Sequence, residues 1–340
     1  MNKKVAVIIL NWNGRDLLER YLPTVMEYTP EHLADVIVAD NGSTDDSLTY
    51  LKGIGVNVMD LGQNYGFAEG YNRAIRLAEG YDYILLLNSD VRVTEQWLEP
   101  LVAFLDHSSN VAAVQPCILS DRQTHMLEYA GALGGYLDFL GYPFCRGRIF
   151  DTLEEYSEKY GTKPMPVFWT TGACMLIRRA LYLKAGGLDK TFFAHQEEID
   201  LCWRLHSMGY SLFVVPSSVV YHYGGASLDA ANPRKTFLNY RNNLRVLAKN
   251  LPGSVRFLTL FCRFFLDAFA AIYFLLKDGP RTARAVLKAW WAFLTTRSTP
   301  IPAELEVNHK SAYRKLYPHS LLLRYHLHRE RYFDQLKNHP

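Results

Sequence analysis

An α/β fold, with a mainly parallel sheet carrying helices on both faces, is predicted for the first part of this chain by three observations. Apolar runs rich in β-branched residues alternate with stretches of helical period from residue 5 to about residue 119. No internal repeat or low-complexity tract interrupts them. Acidic and polar residues stand where the apolar runs end: Asp40 after DVIVA, Asp90 after YILLLNS, and the Glu197-Glu198-Ile199-Asp200 run that opens a helical stretch. In an open α/β sheet the ligand crevice lies at the carboxyl ends of the strands, so these positions face it.

Each element has its own signal. VAVIIL (5–10) is a short apolar run, hence a buried strand, and a helical stretch follows from Asp16 to Met26. DVIVAD (35–40) is a second strand, after which Ser43 or Thr44 is placed to cap a helix. VNVMDL (56–61) is a third strand, a helix runs from Gly66 to Glu79, and YDYILLLN (81–88) is the strongest strand pattern. EQWLEPLVAFLD is an amphipathic helix and VAAVQPCIL another strand. Residues 120–165 show no period and are expected to be a functional loop or an insertion.

Beyond about residue 230 the pattern becomes helical, which divides the chain into a catalytic domain over 1–230 and a helical extension over 231–340. KTFLNYRNNLRVLAKNL ends at Pro252. The next stretch, residues 255–277, is nearly all apolar but carries Arg263 and Asp267 four residues apart. Its length suits a membrane span. The two internal charges suit better a helix lying at a membrane interface or one packed in the protein. RTARAVLKAWWAFLTTR then sets basic residues around Trp290 and Trp291, a composition suited to lipid headgroups.

The overall charge of +3 over 340 residues is unevenly distributed. From Lys277 onward there are 12 Lys and Arg against 5 Asp and Glu, a net of +7; residues 1–276 hold 25 against 29, a net of −4. A basic tail calls for an anionic partner, and with no nucleic-acid-binding motif present a phospholipid surface is favoured. The five scattered cysteines, Cys117, Cys145, Cys174, Cys202 and Cys262, argue against a disulfide framework or a thiolate zinc site. MNKKVAVIIL stops at Asn11-Trp12-Asn13 without a cleavage pattern, so it is expected not to be a signal peptide, and the protein is placed in the cytoplasm, peripheral on the inner face of the cell membrane.

The motifs narrow the chemistry. The turn after the first strand, Asn11-Trp12-Asn13-Gly14, lacks Gly-x-Gly-x-x-Gly, and no Gly-Lys-Ser/Thr loop exists, which disfavours dehydrogenases and P-loop kinases. Asp40 is placed to accept from a base or ribose hydroxyl, or to stabilise its own turn. The glycine-rich Asn64–Asn72 stretch lets backbone approach a phosphate at a helix amino end, or is an ordinary turn. Asp90, just past a buried strand, suits Mg²⁺ or Mn²⁺, or a helix cap. Glu197 and Asp200 fall on one helix face with Glu198 beside them; clustered acids raise one another's pKa, as a general base requires, or simply satisfy the helix dipole. His222, at the end of a β-branched run, is a metal or phosphate ligand or a structural histidine.

As a set these stretches resemble the family-2 nucleotide-sugar glycosyltransferases, which have the GT-A fold. VAVIILNWNG, VIVADNGSTDDS, NYGFAEGYNRAI, ILLLNSDV, the long stretch from TGACMLIRR to WRLHSMGY, and VVYHYGGASL carry the resemblance over roughly residues 5–228 in the family's order. The rhamnosyltransferase-like bacterial enzymes of surface-polysaccharide synthesis look most similar. The resemblance implies an inverting, metal-dependent transfer of a sugar from a nucleoside diphosphate to an acceptor hydroxyl, with a lipid-linked saccharide favoured by the basic apolar tail. It implies that Asn11 and Asp40 line the nucleotide pocket. Asp90 matches the last acid of the Asp-x-Asp metal motif, whose first position is Asn88 here. Glu198 is the implied base, with Glu197 the alternative, and His222 is implied beside the diphosphate and metal. Gly66 and Asn72 join the donor-binding candidates; Gly172, Asp200 and Arg204 are the acceptor-binding candidates. Arg241-Asn242 matches a family pair without a derivable role. A sugar-phosphate nucleotidyltransferase and a non-catalytic membrane-associated scaffold are the rival expectations. The first lacks its triphosphate-gripping loop here; nucleotide binding would exclude the second.

Overall fold

The computed structural model describes residues 4–128, 131–224 and 232–338. The expected boundary near residue 230, the end of the YHYGGASL stretch and the first three residues lie outside them. The first half runs β1 Val5–Asn11, α1 Arg15–Tyr28, β2 Ala34–Asp40, α2 Ser47–Ile54, β3 Asn57–Asp60, α3 Gly66–Leu77, β4 Tyr83–Asn88, β5 Val91–Val93, α4 Glu99–Asp106 and β6 Val111–Ser120. Then come β7 Gly135–Leu137, β8 Pro143–Cys145, β9 Arg148–Ile149, β10 Thr152–Leu153, β11 Met165–Val167, β12 Cys174–Arg178, α5 Arg179–Lys184, α6 Glu197–Ser207 and β13 Ser211–His222. The remainder is helical: α7 Pro233–Asn250, α8 Gly253–Lys277, α9 Pro280–Thr295, α10 His309–Tyr313 and α11 Leu321–His326.

The main sheet has the order β11-β13-β6-β12-β4-β1-β2-β3, with β5 on β13. β1, β2, β3 and β4 pair in parallel, as do β6 and β13, while β12 enters antiparallel between β4 and β6. Period-2 alternation splits each strand between two cores: Ala6 and Ile8 face one side, Val5, Val7 and Ile9 the other. The register sets Asn11 beside Asp40, and Leu10 beside Asn88. Because β12 runs the opposite way, Gly172 and Ala173 reach the same edge from its start. His222 ends β13 there too, opposite Val91.

Two expectations are modified. The segment 120–165 is not without secondary structure: β7 to β10 form a small antiparallel sheet, of strands too short to show a period in the sequence. The helix expected from Glu95 begins at Glu99, because Gln96 adopts a left-handed backbone with φ 55°.

α8 is inverted relative to a soluble helix. Its buried positions are Thr259, Arg263, Asp267 and Ala271, spaced by four. Arg263 pairs with Asp267 at 3.2 Å, donates to the Leu140 carbonyl at 3.0 Å and to Asn243, and lies 4.3 Å from the Tyr142 ring centre. The Trp290 indole of α9 donates to Asp267 at 3.0 Å. The outward face is apolar, with Phe257 and Leu276 80 and 83% exposed and Phe261, Phe264, Phe265, Phe269 and Ile272 between them. It is the one helix among the described residues long and apolar enough to cross a membrane. Beyond α9 the chain packs back on the sheet, where Tyr317, Leu321 and Phe333 join its larger core.

Candidate active site

The carboxyl edge of the sheet opens into a cleft of about 570 Å³. Asn88, Asp90, Gly172, Glu197, Glu198 and His222 line it together, although nearly every stretch of the chain separates them. The far wall comes from elsewhere: Tyr142, Arg148 and Phe150 from the small sheet, and Lys235, Asn239 and Tyr240 from α7.

The acid pair opens α6 in an unusual way. Phe193, His195 and Gln196 all have positive φ, at 68°, 70° and 69°, a conformation that costs non-glycine residues on the order of 1–3 kcal/mol each. α7 holds this strained loop. The Asn242 amide donates to the carbonyls of Phe192, Ala194 and His195 at 3.1, 2.8 and 2.8 Å. Arg241 donates to Phe192 O at 2.8 Å, and Asn243 to Gln196 Oε1 at 3.0 Å. The Arg241-Asn242 pair thus has a structural task, which is to fix the backbone that aims the acids. Asn242→Ala is expected to leave three carbonyls under-satisfied, lowering stability by about 1–3 kcal/mol and turnover by more than that loss of folded protein explains. Denaturant melts beside initial rates on the folded fraction check it.

Glu197 is buried, and its Oε2 has no hydrogen-bond partner. Burial first, and then the Glu198 charge, push its pKa well up. Glu198 is half-buried, and burial pushes it up to about 7. Both carboxyls are therefore raised, Glu197 by burial and by its neighbour and Glu198 by burial. The more accessible of the two is Glu198. A Cβ built on Gly172 would sit 3.8 Å from the Glu198 Cβ, so Gly172 floors the space in front of it.

At the other end, Asp90 Oδ1 lies 3.1 Å from His222 Nε2, and Glu128 Oε1 3.4 Å from His222 Nδ1. Burial opposes the His222 charge, but Glu128 and Asp90 outweigh it and push the imidazole up to about 10. Burial likewise acts to raise Asp90, and the His222 bond and charge overcome it, holding the carboxyl below its usual range. Glu128 gave no sequence signal because it lies in the segment without period. The His195 imidazole also lines the cleft: burial first, then the Lys235 charge, push it down to about 4, so it is neutral there. Its Nε2 has no partner and is free to meet a hydroxyl.

A divalent cation fits this end where it displaces the imidazole proton that the two carboxylates otherwise hold. Asp90 supplies a carboxylate 3.1 Å from His222 Nε2, His222 a ring nitrogen, and Glu128 a second carboxylate 3.4 Å from Nδ1. Among the described residues no three-donor cage is closed. An ion here would lean on water and substrate phosphate, as Mg²⁺ and Mn²⁺ commonly do.

Several candidates lie elsewhere. Asn11 and Asp40 sit at the same sheet edge but are fully buried. Asp40 accepts from Ser43 N at 2.8 Å, Ser43 Oγ at 2.7 Å and Asn11 Nδ2 at 2.9 Å, so its carboxylate serves the turn. Asn11 Oδ1 remains unpartnered, and only a glycine at position 14 leaves room above it: a Cβ there would come within 2.5 Å. Gly66 offers no phosphate cradle, since its N–H donates to Asn64 Oδ1 at 2.8 Å and the next N–H to Phe193 O at 3.2 Å. Asn72 is turned away from the cleft; it accepts from the Tyr182 hydroxyl at 2.7 Å and Leu188 N at 2.9 Å, docking α3 on the Gly186-Gly187 turn. Asp200 and Arg204 are corrected as acceptor residues. They pair at 2.8 Å in the interior, Asp200 with Lys249 at 2.9 Å and Asn250 at 2.8 Å, Arg204 with the carbonyls of Ala185 and Gly187. Helical spacing places Asp200 on the side of α6 that meets α7, not on the side that meets the cleft.

A parallel sheet with one antiparallel central strand, and a carboxylate–histidine cleft along its carboxyl edge, define a GT-A nucleotide-sugar transferase. The model for glycosyl transferase family 2 matches residues 6–184, and the chain belongs to that family. The chain is 27% identical over 262 residues to the N-acetylglucosaminyl-diphospho-decaprenol L-rhamnosyltransferase of Mycobacterium tuberculosis, covering 70% of this chain and 84% of the relative. It is 29% identical over 229 residues to the rhamnosyltransferase WbbL of Escherichia coli, covering 64% and 83%. Among solved structures, GalNAc-T7 with UDP, GalNAc and Mn²⁺ superposes with a TM-score of 0.59 at 19% identity, over 74% of this chain and 48% of that longer one. The mannosyltransferase PcManGT of Pyrobaculum calidifontis, in complex with GDP-Man and Mn²⁺, gives 0.54 at 14% identity, over 87% and 88%. The family match ends before Glu197, so the acid pair and His222 stand on geometry.

Proposed function

We propose that this chain is an inverting, metal-assisted glycosyltransferase that extends a lipid-linked saccharide at the membrane surface, with residues 1–230 carrying the chemistry and 231–340 positioning and docking it. The supporting observation is that Glu198, Asp90 and His222 line one cleft. The donor nucleoside lies toward Asn11 and Asp40, and the diphosphate toward Asn88 and Asp90. The sugar's anomeric carbon then faces Glu198 across Gly172. Glu198 takes the proton from the acceptor hydroxyl, the freed oxygen forms a bond to the anomeric carbon, and the bond to the β-phosphate oxygen breaks. The nucleoside diphosphate departs with that electron pair. Attack opposite to departure inverts the centre. His195 accepts from a sugar hydroxyl through its unpartnered nitrogen, and Glu197, kept protonated, donates to another. Asp90 and His222 would hold a divalent cation there, which would supply positive charge to the departing diphosphate.

Incubation with a panel of nucleotide sugars and Mg²⁺ or Mn²⁺, following diphosphate release, tests the activity; the relatives' names put rhamnosyl donors first. Asp90→Ala is expected to abolish the part of donor affinity that the cation contributes. Calorimetry with UDP or dTDP, with and without Mn²⁺, reads it, and an unaltered Mn²⁺ effect would remove Asp90 from the site.

The outward face of α8 supports docking on an anionic bilayer. Monomeric proteins rarely expose so continuous an apolar surface, and basic Arg281, Arg284 and Lys288 adjoin it on α9 together with exposed Leu287, Trp291 and Leu294. F257D/L276D is expected to lose most binding to phosphatidylglycerol vesicles, measured by cosedimentation, while its melting temperature stays near that of the parent.

A further inference from the structure

A second cavity, of about 470 Å³, lies between the start of α7 and the length of α9. Arg234, Arg281, Arg284 and Lys288 line it, with Pro233 and Phe237 between them and no acidic side chain. Arg281, Arg284 and Lys288 recur at spacings of three and four, so one face of α9 presents all three. Among the described residues no salt bridge neutralises any of these four cations. Like charges gathered without a counter-ion repel one another, and a bound anion removes that penalty. Guanidinium groups grip phosphate oxygens in pairs.

The groove's position says which anion. The first turns of α7 serve both cavities: Lys235, Asn239 and Tyr240 face the catalytic cleft, while Pro233, Arg234 and Phe237 face the groove. The Arg234 guanidinium lies 5.3 Å from the Phe193 ring centre, and Phe193 leads directly into Ala194 and His195 of the cleft. On its other flank, Leu287 and Trp291 of α9 continue the exposed apolar face. The groove thus adjoins both the loop that leads into the cleft and the lipid-facing surface, with the first turns of α7 lining cleft and groove alike.

We propose that this groove binds the diphosphate that joins the acceptor saccharide to its lipid, and so sets the distance between Glu198 and the bilayer. The assignment rests on the lipid-linked acceptor proposed above. It makes the protein a reader of the linker as well as of the sugar, and it requires the acceptor to come from a reaction whose product is a saccharide joined to a lipid through a diphosphate.

The test is cosedimentation of the full chain with phosphatidylcholine vesicles carrying decaprenyl diphosphate, against vesicles of matched charge carrying phosphatidylglycerol. The parent protein is expected to bind the diphosphate vesicles at least about tenfold more tightly, and inorganic pyrophosphate to displace it. R281A/R284A/K288A is expected to lose that preference, a loss of about tenfold or more for three near-surface cations. These positions are solvent-exposed, and circular dichroism verifies the fold; R284K restores part of the preference when the other two are native. Equal binding of both vesicles by the parent, failure of pyrophosphate to displace it, or a preference that survives the triple change overturns the groove and leaves membrane docking standing. Binding to no vesicle overturns the membrane-surface function and the groove with it.

Discussion

Glu198→Gln loses sugar transfer by about 10²–10⁴, the contribution of a well-placed general base, and retains donor binding. The amide keeps the shape of the carboxylate but takes no proton from the acceptor. Single-turnover transfer beside calorimetric donor binding separates the two effects, and full turnover in the variant would assign the base elsewhere. The pH profile adds a second readout. Burial raises Glu198 to about 7, and the base works only when deprotonated, so the parent's rate climbs as pH rises through about 7. The variant's residual rate is expected to lack that limb. Glu197 gives the complementary signal. Its folded-state pKa is raised by burial and by Glu198, so the folded state holds a proton that the unfolded chain has released. Its contribution is favourable below the ordinary carboxylate range and declines as pH rises toward the folded pKa. Glu197→Gln removes that decline and is expected to melt higher at neutral pH, while losing the hydroxyl contact.

Arg204→Ala is expected to lower stability by about 3–5 kcal/mol, the usual loss when one partner of a buried ion pair is removed. That is a large share of the roughly 5–15 kcal/mol that holds a domain folded. Arg204 is 2% exposed; its removal strips Asp200 of one cation and leaves the carbonyls of Ala185 and Gly187 without their donor. Those carbonyls belong to the turn against which Asn72 packs, and a Cβ at Gly187 would sit 2.3 Å from Asn72 Oδ1, so this region has no slack. The denaturation midpoint should fall with little change in slope, and activity per folded molecule should fall far less than in Glu198→Gln. Arg204→Lys should recover little, because one ammonium does not reproduce the fork that reaches Asp200 and two carbonyls. A normal midpoint with a selectively raised acceptor KM would instead make Arg204 an acceptor contact.

These two residues show what was legible. Glu198 and Arg204 stand six positions apart on one helix, both charged and both in an apolar setting, and the sequence offers each as a site residue. Burial direction separates them: Glu198 meets the cleft, while Arg204 and Asp200 meet α5 and α7. Asn72 and Gly66 went the same way, because a glycine-rich helix start looks alike whether its N–H groups face a phosphate or a neighbouring loop. Glu128 and the lining residues of the small sheet were invisible, since two- and three-residue strands carry no period. The Arg263–Asp267 pair was readable as an i,i+4 contact. That it faces inward, leaving phenylalanines outside, was not, because the partners that bury it, Leu140 and Asn243, stand 123 and 20 positions away, the second on α7.

By itself the order of residues determined the alternating strands and helices, the carboxylates at their ends, the apolar length of α8 and the basic charge of the tail, because each is a property of neighbours along the chain. Which of those carboxylates share a cleft, which are sealed in ion pairs, and which face of α8 meets solvent were decided only by tertiary structure. Those outcomes depend on strand order, on the reversed β12 and on the way α7 grips the loop before α6, contacts between segments far apart in sequence whose burial sets both the charge state and the reach of every side chain involved.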